Sequence, residues 1–288
     1  MSETSSLPLK LPPLLVATEV AAALEEDLGG AGDITTDAMV PADATGEAAI
    51  VARQAGVIAG LDLAEAAFKA LDPEIRFTRI VEDGEKVAAG GTIAQISGKT
   101  RALLTAERTA LNFLGRLSGI ATLTASYVKA VEGTATRIAC TRKTTPGLRA
   151  FEKYAVRAGG GVNHRFGLYD AVLVKDNHIA AAGGLAQALE RLSARSGHLV
   201  KIEVEVNTLD QLKQALSFAI DAVLLDNMDV DTLRQAVKLV AGRVKTEASG
   251  GVTLETVREI ALTGVDLISV GALTHSPRNL DSSLEWKD

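Results

Sequence analysis

The chain has one cysteine, one tryptophan and aromatic residues at only 3% of its 288 positions. A single thiol, Cys140, excludes an intrachain disulfide and makes a reducing cytoplasm the natural setting. So few aromatics argue against a surface that stacks nucleobases. The net charge of −6 argues against a general nucleic-acid or anionic-membrane surface. No apolar run reaches the ~20 residues that cross a bilayer. Residues 1–20 contain Leu and Pro but only one Lys, and no clean apolar stretch before a small-residue cleavage site. They read as a loose start to the chain rather than a signal peptide.

Apolar residues make up 47% of the sequence, mostly small and aliphatic, enough for one large or two modest α/β domains. Cys140 is a candidate nucleophile, but in its apolar run it reads better as a small core residue. Residues 1–13 are expected to be loosely ordered. Helical spacing runs from Thr18, a candidate N-cap, to Leu28, and the Gly-rich 29–36 segment reads as a flexible polar loop. A strand is expected over 46–57, a helix over 61–71 and short strands with hairpin signals over 77–96. That last stretch resembles the β-sandwich of lipoyl and biotinyl carriers, but the modifiable Lys motif of those modules is missing. A patterned helix spans 105–120.

From Thr136 the pattern becomes strand–helix repeated. Strand candidates are 136–140, 171–174, 201–206, 222–225, 244–248 and 267–270, with helices over 185–194, 209–218, 230–240 and 254–262. Repeated βα units predict parallel strands covered by helices. Six units favour a barrel of fewer than eight strands over an open sheet.

In such barrels the chemistry sits at the C-terminal ends of the strands. Here those ends carry Arg142 and Lys143, then Lys175 to His178, Glu205 with Asn207, Asp226 with Asn227, Ser249-Gly250-Gly251, and Gly271-Ala272 with His275 nearby. Arg142 offers a planar fork suited to a carboxylate, and Lys143 a point charge suited to a phosphate. Ser249-Gly250-Gly251 before an expected helix reads as a phosphate nest, completed by Gly271. Acids such as Glu205 and Asp226 beside phosphates serve Mg²⁺ or ribose hydroxyls. Glu203 reads as a solvated rim carboxylate paired with Lys201 or Lys175. His164-Arg165, after a glycine triplet, brings further cationic or donor groups, or is an ordinary loop histidine and its neighbour. Arg108, next to Glu107, reads alone as a surface salt bridge.

Nearly the whole chain resembles the quinolinate phosphoribosyltransferases. The motifs are Glu26-Asp27-Leu28 with Gly32 to Thr36, Glu107 to Leu114, Thr141 to Arg149, Gly160-Gly161 with His164-Arg165, Leu173 to His178, Glu203 to Val206, Leu225 to Met228, Glu247 to Gly251 and Ser269 to Ser276. The resemblance implies an N-terminal α/β sandwich over residues 1–120, rejoined by 276–288, and an incomplete α/β barrel over 121–275. It implies transfer of phosphoribosyl from phosphoribosyl pyrophosphate to quinolinate with decarboxylation, using Mg²⁺, in a homodimer or a multiple of one. Arg142, His164, Arg165 and Lys175 would then line the quinolinate pocket, with Arg108 supplied by the partner subunit. Lys143, Glu205, Asp226, Ser249, Gly250, Gly271 and His275 would face the phosphoribosyl donor and its metal. Two alternatives stand beside it: a same-fold paralogue with another acceptor, and a Schiff-base lyase using Lys175 or Lys143.

Overall fold

The computed structural model describes residues 10–287. The chain divides into two compact units. One contains the chain up to Ala125, Ala150–Gly160 and the segment from Ser276 on; the other contains Ser126–Arg149 and Gly161–His275.

The first unit holds a four-stranded antiparallel sheet in the order Ser282–Trp286, Thr45–Ala52, Thr92–Lys99, Arg76–Arg79. Its residues Ala48, Ile50, Ile93 and Ile96 are buried, as are Leu61, Leu63, Ala64 and Phe68 of the helix Leu61–Leu71, and the Phe68 ring lies 6.1 Å from that of Phe77 on the sheet. Asp83 sits in a turn closed by the Glu85 N–H on the Glu82 carbonyl (3.0 Å), as the hairpin signals over 77–96 suggest. From that turn its carboxylate accepts N–H bonds from Gly60 (3.0 Å) and Leu61 (3.2 Å) at the start of that helix, and Tyr154 Oη donates to it at 2.5 Å. Gly56–Val57 pairs with Lys86–Val87, so the 77–96 stretch divides its strands between two sheets.

The helix expected over 105–120 is one helix of 31 residues, Thr100–Ala130. Gly115 and Gly119 on it leave room for the backbone of 278–280. Leu280 donates its N–H to the Gly115 carbonyl at 2.9 Å, and a side chain at Gly119 would overlap the Arg278 carbonyl. Two local expectations change at the N-terminal end. The first helix runs from Pro13 to Leu28, with Thr18 inside it and its hydroxyl donating to the Leu14 carbonyl. The expected 29–36 loop ends at a short helix, Ile34–Met39, which Asp33 caps by accepting from the Thr36 N–H. The loose order expected of residues 1–13 falls mostly outside the described residues.

The second unit is built on six parallel strands: Arg137–Ala139, Val172–Val174, Ile202–Val206, Ala222–Asp226, Lys245–Ser249 and Leu267–Ser269. Each pairs with its successor from the second onward, and the sixth pairs with the first. The order is therefore that of a closed barrel with one pairing missing, between the first and second strands. Val162 occupies part of that seam. It bridges Ala139 in parallel, donating to the Ile138 carbonyl (2.8 Å) and accepting from the Cys140 N–H (3.1 Å).

Alternation along these strands separates two environments. Val204, Val206, Val223, Leu225, Ala248 and Ile268 are buried among apolar groups, whereas Glu205, Leu224, Asp226, Glu247, Ser249 and Ser269 line a cavity. At the opposite end, Asp221 clamps the start of the third strand through Lys201 (2.5 Å) and the Ile202 N–H (2.8 Å). Asp266 does the same for the fifth through Lys245 (2.6 Å) and the Thr246 N–H (2.9 Å).

Candidate active site

A cavity of about 840 Å³ opens within the second unit at the C-terminal ends of its strands. Eleven of the twelve residues expected to form the site line it: Arg142, Lys143, His164, Arg165, Lys175, Glu205, Asp226, Ser249, Gly250, Gly271 and His275. Arg108 does not. It sits on the Thr100–Ala130 helix of the first unit, exposed and with no ion pair among the described residues, so the surface bridge to Glu107 is not formed.

Strand register sets the depth of each group. Glu205 lies level with Leu224 and, one strand further, with Glu247; Asp226 lies level with Ser249, two residues nearer the mouth. Glu205 pairs with the Lys175 ammonium at 3.1 Å. Asp226 accepts from Asn227 Nδ2 at 2.7 Å.

The cationic side of the cavity is held by short backbone tethers. The Lys143 N–H is donated to Thr141 Oγ1 (3.0 Å), and the buried Thr274 hydroxyl donates to the Lys143 carbonyl (2.7 Å). Arg165 Nη1 donates to the Ala171 carbonyl (2.9 Å). The Nε groups of Arg142 and Arg165 are both buried with no hydrogen-bond partner. Burial first, and the neighbouring Arg142 charge second, pull the Arg165 guanidinium below its ordinary pKa. Two close guanidiniums with unspent donors are an arrangement that an anion stabilises.

The glycine loops on the far side obey a steric demand. Gly250 and Gly251 have φ of +98° and +60°, and a Cβ on Gly250 would overlap the Asn227 side chain. Asn227 itself adopts φ +53°, a conformation short polar side chains tolerate. The following helix starts only at Val257, so Ser249-Gly250-Gly251 is a loop concavity and not a helix N-terminus. A Cβ at Gly271 would crowd Lys143 at 3.1 Å and His275 at 3.3 Å.

Glu203 is a correction. It is not a rim carboxylate bound to Lys201 or Lys175, which pair with Asp221 and Glu205. It is only 12% exposed and bonds His164 Nε2 at 2.8 Å, with Glu247 Oε1 3.8 Å from the same nitrogen. The other ring nitrogen, Nδ1, accepts the Arg165 N–H at 2.8 Å. His164, Glu203 and Glu247 have the spacing of metal ligands. Because Nδ1 is an acceptor, however, Nε2 carries the proton and points it at the carboxylates, so a metal there would have to break the Arg165 bond. Glu247, Ser269, Asn227 and Thr274 were assigned no role beforehand. Glu247 was open to discovery, since it shares a strand face with Ser249 at the period of two.

Comparison with known proteins agrees over both units. Residues 120–285 match the family described as quinolinate phosphoribosyl transferase, C-terminal domain, and residues 33–118 match its N-terminal domain. The chain is 45% identical over 260 residues to the probable nicotinate-nucleotide pyrophosphorylase [carboxylating] of Bacillus subtilis, covering 90% of this chain and 89% of that one. It is 44% identical to quinolinate phosphoribosyltransferase [decarboxylating] 2b of Nicotiana tabacum, covering 91% and 80%. The solved nicotinate-nucleotide pyrophosphorylase of Francisella tularensis superposes with a TM-score of 0.93 at 40% identity, covering 98% of this chain and 100% of that one. The chain belongs to the quinolinate phosphoribosyl transferase family.

Proposed function

We propose that this chain transfers the phosphoribosyl group of phosphoribosyl pyrophosphate to the pyridine nitrogen of quinolinate, releasing pyrophosphate and CO₂ and leaving nicotinate mononucleotide, a step of NAD biosynthesis. The observation that carries the reading is the division of one cavity into a cationic wall on the first two strands, acids on the next two and glycine loops on the last two. Quinolinate is a dianion, and Arg142, Arg165 and Lys175 supply the charge to hold it, with His164 in the same wall. Lys143, Ser249, Gly250, Gly271 and His275 face the phosphates of the donor.

The pyridine nitrogen is already nucleophilic, so no general base is needed. As pyrophosphate leaves, positive charge builds on the ribose. Glu205 and Asp226 favour that charge, and Lys143 favours the departing diphosphate. Loss of CO₂ then leaves carbanion character on the ring, which the surrounding cations stabilise. The donor set also fits Mg²⁺, which takes oxygen ligands and commonly one or two carboxylates together with substrate phosphates. Glu205 and Asp226 would hold it, directly or through water, and it would add charge stabilisation at the diphosphate.

The active form is a homodimer, or a multiple of one, in which Arg108 of one protomer completes the quinolinate pocket of its partner, and the enzyme works in the cytoplasm. An assay of purified protein with both substrates and Mg²⁺ should release CO₂ and pyrophosphate in equal amounts and form nicotinate mononucleotide. Turnover with nicotinate or another acceptor, and none with quinolinate, would assign the chain to a paralogous activity. Covalent trapping of Lys175 or Lys143 by borohydride with a carbonyl substrate would point to a lyase.

A further inference from the structure

The His164 ring has no polar atom left over. Nδ1 accepts the Arg165 N–H (2.8 Å), and Nε2 faces Glu203 (2.8 Å) and Glu247 (3.8 Å). A histidine spent in this way contributes little direct polar recognition to a ligand, although it stands in the cavity wall. Its bonds run instead toward Arg165. The backbone N–H of Arg165 is fixed by Nδ1, one guanidinium nitrogen is fixed by the Ala171 carbonyl, and the buried Nε is left without a partner.

The tautomer is what makes this chain of contacts hold. If the proton sat on Nδ1, the ring would present N–H to N–H at Arg165 and a bare lone pair to two carboxylates, and both contacts would turn repulsive. Glu203 on Nε2 and the Arg165 N–H on Nδ1 together select the Nε2–H form, and Glu247 backs it at longer range.

We propose that Glu203 is a positioning residue for the acceptor site, which locks His164 as its Nε2–H tautomer so that Arg165 is held in its place in the cavity wall. The proposal rests on the quinolinate reading for the identity of the acceptor, but the lock itself exists without substrate. Glu203 touches no substrate in this scheme. Its effect is therefore confined to the acceptor side of the cavity and does not extend to the phosphate loops of the fifth and sixth strands. An amide oxygen can accept the same Nε2–H bond, so the property required of residue 203 is an acceptor in that place rather than a negative charge.

Two measurements test it on Glu203→Leu and Glu203→Gln in the full-length chain. The first is the imidazole nitrogen NMR spectrum of the ligand-free protein, tractable with four histidines in the sequence and assigned through His164→Gln. Wild type and Glu203→Gln should show His164 protonated on Nε2 alone, and Glu203→Leu should show the mixed or opposite tautomer. The second is steady-state kinetics. Glu203→Leu should raise KM for quinolinate roughly tenfold or more while KM for phosphoribosyl pyrophosphate stays within about twofold, and Glu203→Gln should recover most of the loss. Overturning results are an unchanged tautomer in Glu203→Leu, a Gln variant as impaired as the Leu variant, or both KM values rising together. If wild type itself ignores quinolinate, the functional reading fails, while the tautomer spectrum still decides the lock.

Discussion

At the scale of single residues, the site depends as much on what has no side chain as on what has charge. Gly250 combines φ +98° with a Cβ position already taken by the Asn227 side chain. Gly250→Ala should therefore raise KM for the phosphoribosyl donor while leaving acceptor binding nearly unchanged, at a stability cost of about 1–3 kcal/mol. Isothermal titration with each substrate, alongside a thermal melt, separates the two effects. Much of the site was legible in the sequence because charged groups and glycines directly after apolar β runs have few structural reasons to be there. Arg142, Lys175 and Asp226 all announce themselves in that way. Glu203 did not, because a carboxylate inside a strand gives no sign of its role until the partner is known. His164 supplies that partner from a segment some forty residues away, and no local pattern encodes such a pairing.

At the scale of elements, two contacts set the stability expectations. Asp221 and Asp266 stand just before the fourth and sixth barrel strands and clamp the strand before each, the third and the fifth. Burial pushes each carboxyl up, but the Lys201 or Lys245 ammonium and the strand N–H outweigh it, and each pKa falls below its ordinary 3.8. A depressed carboxylate stabilises the fold above 3.8 and loses that contribution as pH falls through the lower folded-state value. Urea midpoints of the Asp221→Asn, Asp266→Asn double variant should be lower than wild type at neutral pH, and the gap should narrow as pH drops past 3.8. The second contact is the bare helix surface at Gly119. Gly119→Val would drive branched carbons into the Arg278 carbonyl and should cost about 1–3 kcal/mol, seen as a lower melting temperature. Sequence periodicity located the six strands to within a few residues because both the 2-residue and 3.6-residue patterns were strong there. It missed the helices Arg149–Ala158 and Asp176–Ala182. The first buries Glu152 and Lys153, charged residues that hide the apolar pattern; Glu152 is held by Arg116 at 2.7 Å. The second has no buried residue to reveal a face.

At the scale of the whole molecule, the homodimer proposal makes a numerical prediction. Arg108→Ala and Arg142→Ala homodimers should each be nearly inactive. Refolded together in equal amounts, they should recover about a quarter of wild-type activity, since about half of the dimers are mixed and each mixed dimer carries one intact site. No recovery would place Arg108 outside the partner's pocket. Within the barrel, the seam between the first and second strands has a further consequence. Among the described residues, the first strand's isolated bridge there is to Val162, held by two hydrogen bonds, and no ladder joins the first strand to the second. The strand Val172–Val174, with a neighbour on one side only, and the Ala139–Val162 bridge should exchange their amide protons first in deuterated solvent. Ala222–Asp226 and Lys245–Ser249, each flanked on both sides, should exchange last. The wall that carries Arg142, Arg165 and Lys175 is thus mounted on the two edges best able to breathe, and the acids and phosphate loops on strands that stay still.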